Sequence, residues 1–133
     1  MSAIKVCLCT LFSAVLLFTV GCGSKTMAPN CGPVGLNVGP ASATVDHAAA
    51  APGNTQTFSA SFQFSGSPGC VAAQTAALVN SNWAISDPSV HLSATQGGQV
   101  VATCTAALAS PVTVTATPAS GQMFTGRSTL TCN

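Results

Sequence analysis

Cysteine is the residue type with the most chemistry to offer in this chain, which carries seven cysteines among 133 residues. They are Cys7, Cys9, Cys22, Cys31, Cys70, Cys104 and Cys132. The last four are widely spaced, and no CxxC or HxxxH pattern occurs, so a four-cysteine metal site is the weaker of two interpretations. We expect two disulfides, which four cysteines can form in three connectivities, and neither a metal nor a cofactor.

The other candidates for catalysis are two histidines and two carboxylates. The chain has no glutamate, and the pairs Asp46/His47 and Asp87/His91 match no catalytic motif. Asp87 precedes Pro88 and is typical of a turn, whereas His91 alternates with apolar residues and is expected on the solvated face of a strand. We therefore predict no catalytic residue and no enzymatic activity.

Residues 6–22 read VCLCTLFSAVLLFTVGC and follow a short start with one positive charge, Lys5. The apolar run is short for a membrane span and closes on small residues before a cysteine, which is the pattern of a secretion signal. Export would place the later cysteines in a compartment where disulfides form and persist.

The end of this segment, Thr19-Val20-Gly21-Cys22, resembles the lipobox of bacterial lipoproteins. Gly21 and Cys22 fit that motif and Val20 is tolerated, while Thr19 stands where the family prefers leucine. The resemblance implies cleavage before Cys22, acylation of that cysteine with palmitate-type chains, and anchoring in the cell envelope. Gly23 is compatible with the outer membrane, on either its periplasmic or its outer face. An ordinary cleaved signal and an uncleaved anchor are the alternatives.

The rest of the chain suits one domain. Residues 1–21 are predicted to be the signal peptide, residues 22–30 a lipid-anchored linker, and residues 31–133 a single folded domain. The charged residues after Cys22 sum to zero: Lys25, Asp46, Asp87 and Arg127. A chain with no basic footprint is not expected to bind nucleic acid, and its predicted partners are the membrane and an unknown envelope or surface protein.

The clearest periodicity lies in residues 55–64, which read TQTFSASFQF. Phenylalanine and alanine alternate there with threonine, serine and glutamine, and a period of two predicts a strand with one buried face. We expect Phe58, Phe62 and Phe64 to form one core with Trp83, rather than a ligand site. Further short strands are predicted at residues 36–38, 43–45, 82–86, 90–92, 100–105, 112–117 and 124–132, with a reversal at residues 96–98.

About seven short alternating strands separated by Gly, Pro and Asn turns predict a two-sheet β-sandwich. The order of segments also resembles the bacterial immunoglobulin-like domains of surface and exported proteins. The segments are SATV, TQTFSASF, NWAISDPSVHLSA, GQVVATC, PVTVTATP and GRSTLTC. Residues 65–80 depart from the family, since this loop is longer than usual and carries Cys70.

The resemblance implies a disulfide connectivity. In an immunoglobulin-like sandwich the first two main strands are antiparallel, so Cys31 before the first and Cys70 after the second share one end and are predicted to pair. The strands that end at Cys104 and Cys132 run in the same direction, which brings these two cysteines together at the opposite end. Each bridge closes a long loop and therefore restricts the unfolded chain.

Domains of this family act as adhesion modules, spacers or display units, so the resemblance implies a non-catalytic structural, adhesion or protein-interaction role. The alternative is a carbohydrate-binding module at the cell surface. Such modules expose aromatic rings, whereas the chain lacks tyrosine and places Trp83 on a predicted core face.

Overall fold

The computed structural model describes residues 31–64 and 77–133. These residues form an all-β fold without a helix, as predicted. The strands are β1 (Pro33–Gly39), β2 (Ser42–Val45), β3 (Thr55–Phe64), β4 (Ser81–Ile85), β5 (Val90–Leu92), β6 (Gln96–Gly97), β7 (Gln99–Cys104), β8 (Val112–Pro118) and β9 (Gly126–Cys132). The predicted signal peptide, linker and most of the 65–80 loop lie outside the described residues.

The strands form two sheets. The first has the order β1-β3-β7-β5 and the second the order β2-β9-β8-β4-β6. All pairs are antiparallel except β2 with β9, which run parallel. The strand predicted from residues 36–38 and the piece predicted from residues 43–45 therefore belong to edge strands of different sheets. Pro33 begins the first of these strands and Pro40 lies between the two, and proline is tolerated at such edges.

The alternation of apolar and polar residues in the sequence matches the alternation of buried and more exposed side chains along the strands. In β8 the valines, Ala116 and Pro118 are buried and the three threonines are half-buried on the other face. The core between the sheets contains Leu36, Val38, Val45, Phe58, Ala60, Val79, Trp83, Val90, Val100, Ala102, Cys104, Val112, Val114, Ala116, Leu130 and Cys132. Most of these side chains are small, so the sheets lie close together: a Cβ on Gly126 would lie 2.8 Å from Cγ2 of Val38.

The sequence missed one strand and misplaced aromatic side chains. Gln96 and Gly97 form the two-residue strand β6 opposite Ser81 and Asn82, and the chain reverses between β6 and β7, as predicted. With this short strand, the described residues form nine strands. Phe64 is not part of the core cluster and Phe62 is only partly buried against it, because the last residues of β3 reach the rim of the sandwich.

No helix among the described residues is long and apolar enough to cross a membrane.

Candidate functional site: the apolar end of the sandwich

The two ends of the sandwich differ in composition. At one end, which we call the Pro33 end, β1, β4 and β9 begin and β3 and β8 terminate, as shown by the register pairs Pro33 with Phe64 and Ser81 with Pro118. The sheets meet there through Val79, whose N–H donates to the carbonyl of Ala60 at 2.9 Å. The opposite end, where β7 and β9 terminate, we call the Cys132 end.

The Cys132 end is closed by a disulfide between Cys104 of the first sheet and Cys132 of the second, with a Cα–Cα distance of 5.8 Å. Both cysteines are fully buried. The bridge joins the ends of β7 and β9, as the strand directions implied. It crosslinks residues 28 positions apart and ties the two sheets together.

The Cys132 end also carries the carboxylates. Asp46 follows β2, and its Oδ1 accepts the N–H of Ala48 at 2.9 Å. Asp87 follows β4, and its Oδ1 accepts the N–H of Ser89 at 2.8 Å, which confirms the predicted turn. His47 Nδ1 hydrogen-bonds the carbonyl of Asn133. These side chains stabilise turns.

Exposed apolar side chains collect at the Pro33 end. Among the described residues the large hydrophobic side chains that are exposed are Val34 (55%), Leu78 (54%) and Met123 (100%). Val34 lies at the start of β1, and Met123 lies in the β8–β9 loop. Leu78 forms an isolated antiparallel β-bridge with Ser61, in the second half of β3. Single exposed apolar residues are ordinary, but their confinement to one end of a small domain is typical of an interaction surface.

A cavity of about 490 Å³ opens at the same end. Its described lining consists of Phe62, Phe64, Ala77, Leu78, Val79, Asn80, Ala119 and Ser120. Phe62 is held edge-to-face by two rings, with centroid distances of 6.2 Å to Phe64 and 6.4 Å to Phe124. The described lining is therefore largely apolar and aromatic, with Asn80 and Ser120 as its polar residues.

Trp83 does not contribute to this surface. It is 5% exposed, and its indole N–H donates to the carbonyl of Gly97 at 2.8 Å. The ring is thus placed in the core, as predicted, and offers no face on which a sugar could stack. His91 is exposed on β5, also as predicted.

Among the residues in the described ranges, no group of three His, Cys, Asp or Glu side chains could hold a metal ion.

The predicted site residues are divided between the described and the remaining parts of the chain. Cys104 and Cys132 are paired with each other. Cys31 is also disulfide-bonded, and it lies two residues before Pro33, whose register partner is Phe64. Its predicted partner Cys70 lies outside the described residues, as does the predicted lipidation site Cys22, so both assignments stay predictions.

Comparison of the chain with protein-family models, curated proteins and solved structures found no match.

The sequence did not reveal the apolar end. Alternation in β3 predicts which face a phenylalanine occupies, but the depth of Phe62 and Phe64 depends on where the opposing sheet stops. Val34, Leu78 and Met123 are distant in sequence and show no shared periodicity. The three residues become one feature only through the topology.

Proposed function

We propose that this chain is a lipid-anchored module of the bacterial cell envelope, built on an immunoglobulin-like sandwich and serving a non-catalytic structural, adhesion or protein-interaction role. Acylated Cys22 is the anchor, residues 22–30 are the tether, and the disulfide-bonded domain is the part presented to partners. The outer membrane is the proposed location.

The sheet orders support the immunoglobulin-like assignment. A constant-type immunoglobulin sandwich pairs strands A, B, E and D in one sheet and C, F and G in the other. If β1 and β2 are two parts of strand A, the first sheet reads A-B-E-D and the second contains G-F-C. Trp83 lies on the strand equivalent to C, where this fold has its core tryptophan. The disulfide differs, because it links the strands equivalent to E and G rather than B and F.

The observation that carries the proposal of an exported module is the fully buried Cys104–Cys132 disulfide. Disulfides persist in oxidising compartments outside the cytosol, and a small domain with a core built largely of alanine and valine gains stability from them. Together with the apolar run that ends in Val20-Gly21-Cys22, this bridge favours export followed by anchoring over a cytosolic role.

Intact-mass analysis of the protein isolated from membranes tests the proposal. The expected chain begins at Cys22 and carries acyl mass on that residue, and it stays with membranes through salt washing because each buried methylene contributes about 0.8 kcal/mol. Cys22→Ser should be unprocessed and free of acyl mass. Cys9→Ser, within the segment that is removed, should behave as the parent. A mature chain with a different N-terminus, or with an unmodified Cys22, would overturn the proposal.

A further inference from the structure

We propose that the Pro33 end of the domain rests on the lipid bilayer, with Val34, Leu78 and Met123 in the interfacial region and the Cys132 end directed away from the membrane. This inference rests on the proposed lipid anchor and adds a second, non-covalent contact between the module and the bilayer.

The first argument is where the tether enters. The described domain begins at Cys31, two residues before β1, so the proposed anchor chain joins the Pro33 end. Residues 22–30 can span at most on the order of 30 Å when fully extended. The tether therefore keeps this end of the domain within reach of the bilayer at a high effective concentration.

The second argument is the distribution of apolar surface. The exposed large hydrophobic side chains in residues 31–64 and 77–133 all lie at this end, and Met123 is fully exposed. Leaving such side chains in water is unfavourable, and immersion in the interface removes that cost. The apolar cavity lined by Phe62 and Phe64 opens at the same end, so the apolar surface continues inward from the rim.

The third argument is charge. Of the charged side chains in the described part of the chain, Arg127 is exposed and is the second residue of β9, near the Pro33 end, whereas Asp46 and Asp87 lie at the Cys132 end. A cation near the bilayer and carboxylates away from it give the orientation that an anionic membrane surface favours. The position of the tether, the apolar surface and the charge distribution therefore all favour the orientation in which the Pro33 end faces the bilayer.

Vesicle binding tests this contact separately from acylation. The mature chain, residues 22–133 with Cys22→Ser, is mixed with vesicles of phosphatidylcholine, alone or with phosphatidylglycerol, and the bound fraction is measured by sedimentation. We expect weak binding that Met123→Gln and Leu78→Asn each reduce about fivefold, as loss of one partly immersed side chain predicts. Ala107→Gln, an exposed alanine in the β7–β8 loop at the Cys132 end, is the matched control and should bind as the parent.

Arg127→Gln should abolish the preference for phosphatidylglycerol and leave binding to pure phosphatidylcholine unchanged. A tryptophan introduced by Met123→Trp should be quenched by brominated lipid, while Ala107→Trp should not; the native Trp83 is buried and contributes a constant background. These readouts do not depend on acylation, so an unmodified Cys22 would defeat the proposed anchor without altering them.

The inference would be overturned if the parent chain did not bind, if the Met123→Gln and Ala107→Gln variants bound equally, or if Ala107→Trp were quenched as strongly as Met123→Trp. Self-association in solution that Met123→Gln abolishes would assign the apolar end to a second copy of the chain, and would equally overturn it.

Discussion

Phe58 and Phe62 lie on the same face of β3 at different depths. Phe58 is fully buried in the core, whereas Phe62 is partly buried and contacts Phe64 and Phe124 at the rim. The cost of truncating a side chain depends on how much apolar surface it buries and on how well the site can collapse. These two positions on one strand therefore allow burial depth to be tested within a single element.

We expect Phe58→Ala to lower the free energy of unfolding by about 3 to 5 kcal/mol and Phe62→Ala by about half as much. Ser61→Ala, on the other face of β3, should change it by less than about 0.5 kcal/mol. Equilibrium denaturation of the three variants measures these values. If Phe62→Ala were as costly as Phe58→Ala, the rim position of Phe62 would be incorrect.

For single residues, the sequence predicted on which face of a strand a side chain lies, but not how deeply that side chain is buried. Trp83 and Phe58 were predicted in the core and are buried there. Phe64 was predicted with them from the same alternation, yet it lines the cavity. A period of two depends only on the pleat of one strand, whereas depth also depends on the length of the facing sheet.

Strands with strict alternation were predictable as elements. Residues 55–64 were predicted as one strand and form β3 with the same bounds, and residues 112–117 differ from β8 by one residue. The pairing partners of the strands were harder to predict from the sequence. The parallel pairing of β2 with β9 joins Ala43 to Leu130, and nothing local in either segment indicates a partner so distant in sequence. The short strand β6 likewise forms only because β4 provides an edge with which it can pair, and this edge is distant in sequence.

The Cys104–Cys132 bridge is the covalent link between the ends of two such elements. Closing a loop of 28 residues should stabilise the domain by about 3.5 kcal/mol in the chain-entropy model. We expect the double variant Cys104→Ala/Cys132→Ala to lose about that much in equilibrium denaturation, and Thr103→Ala/Thr131→Ala, at neighbouring half-buried positions, to lose much less. A double cysteine variant as stable as the parent, or a non-reducing peptide map joining Cys104 to Cys70, would contradict this assignment.

The whole molecule has a polarity that no single element shows. Exposed apolar side chains and the aromatic cavity lie at the Pro33 end, while the buried disulfide and both aspartates lie at the Cys132 end. The chain enters at the apolar end, and the proposed tether would hold that end against the membrane. The Cys132 end and the outer faces of the sheets would then be the surfaces available to an envelope or surface partner.

Hydrogen exchange of the mature acylated chain bound to vesicles, compared with the unacylated chain of residues 22–133 with Cys22→Ser in solution, tests this orientation most directly. We expect slower exchange on the membrane in residues 33–35, 77–80 and 119–125, because their amides lie at the Pro33 end and would lose access to water. Residues 46–54 and 105–111, at the Cys132 end, should exchange at the same rate in both states. Protection confined to the Cys132 end, or no difference at either end, would contradict a module seated on the bilayer by its apolar end.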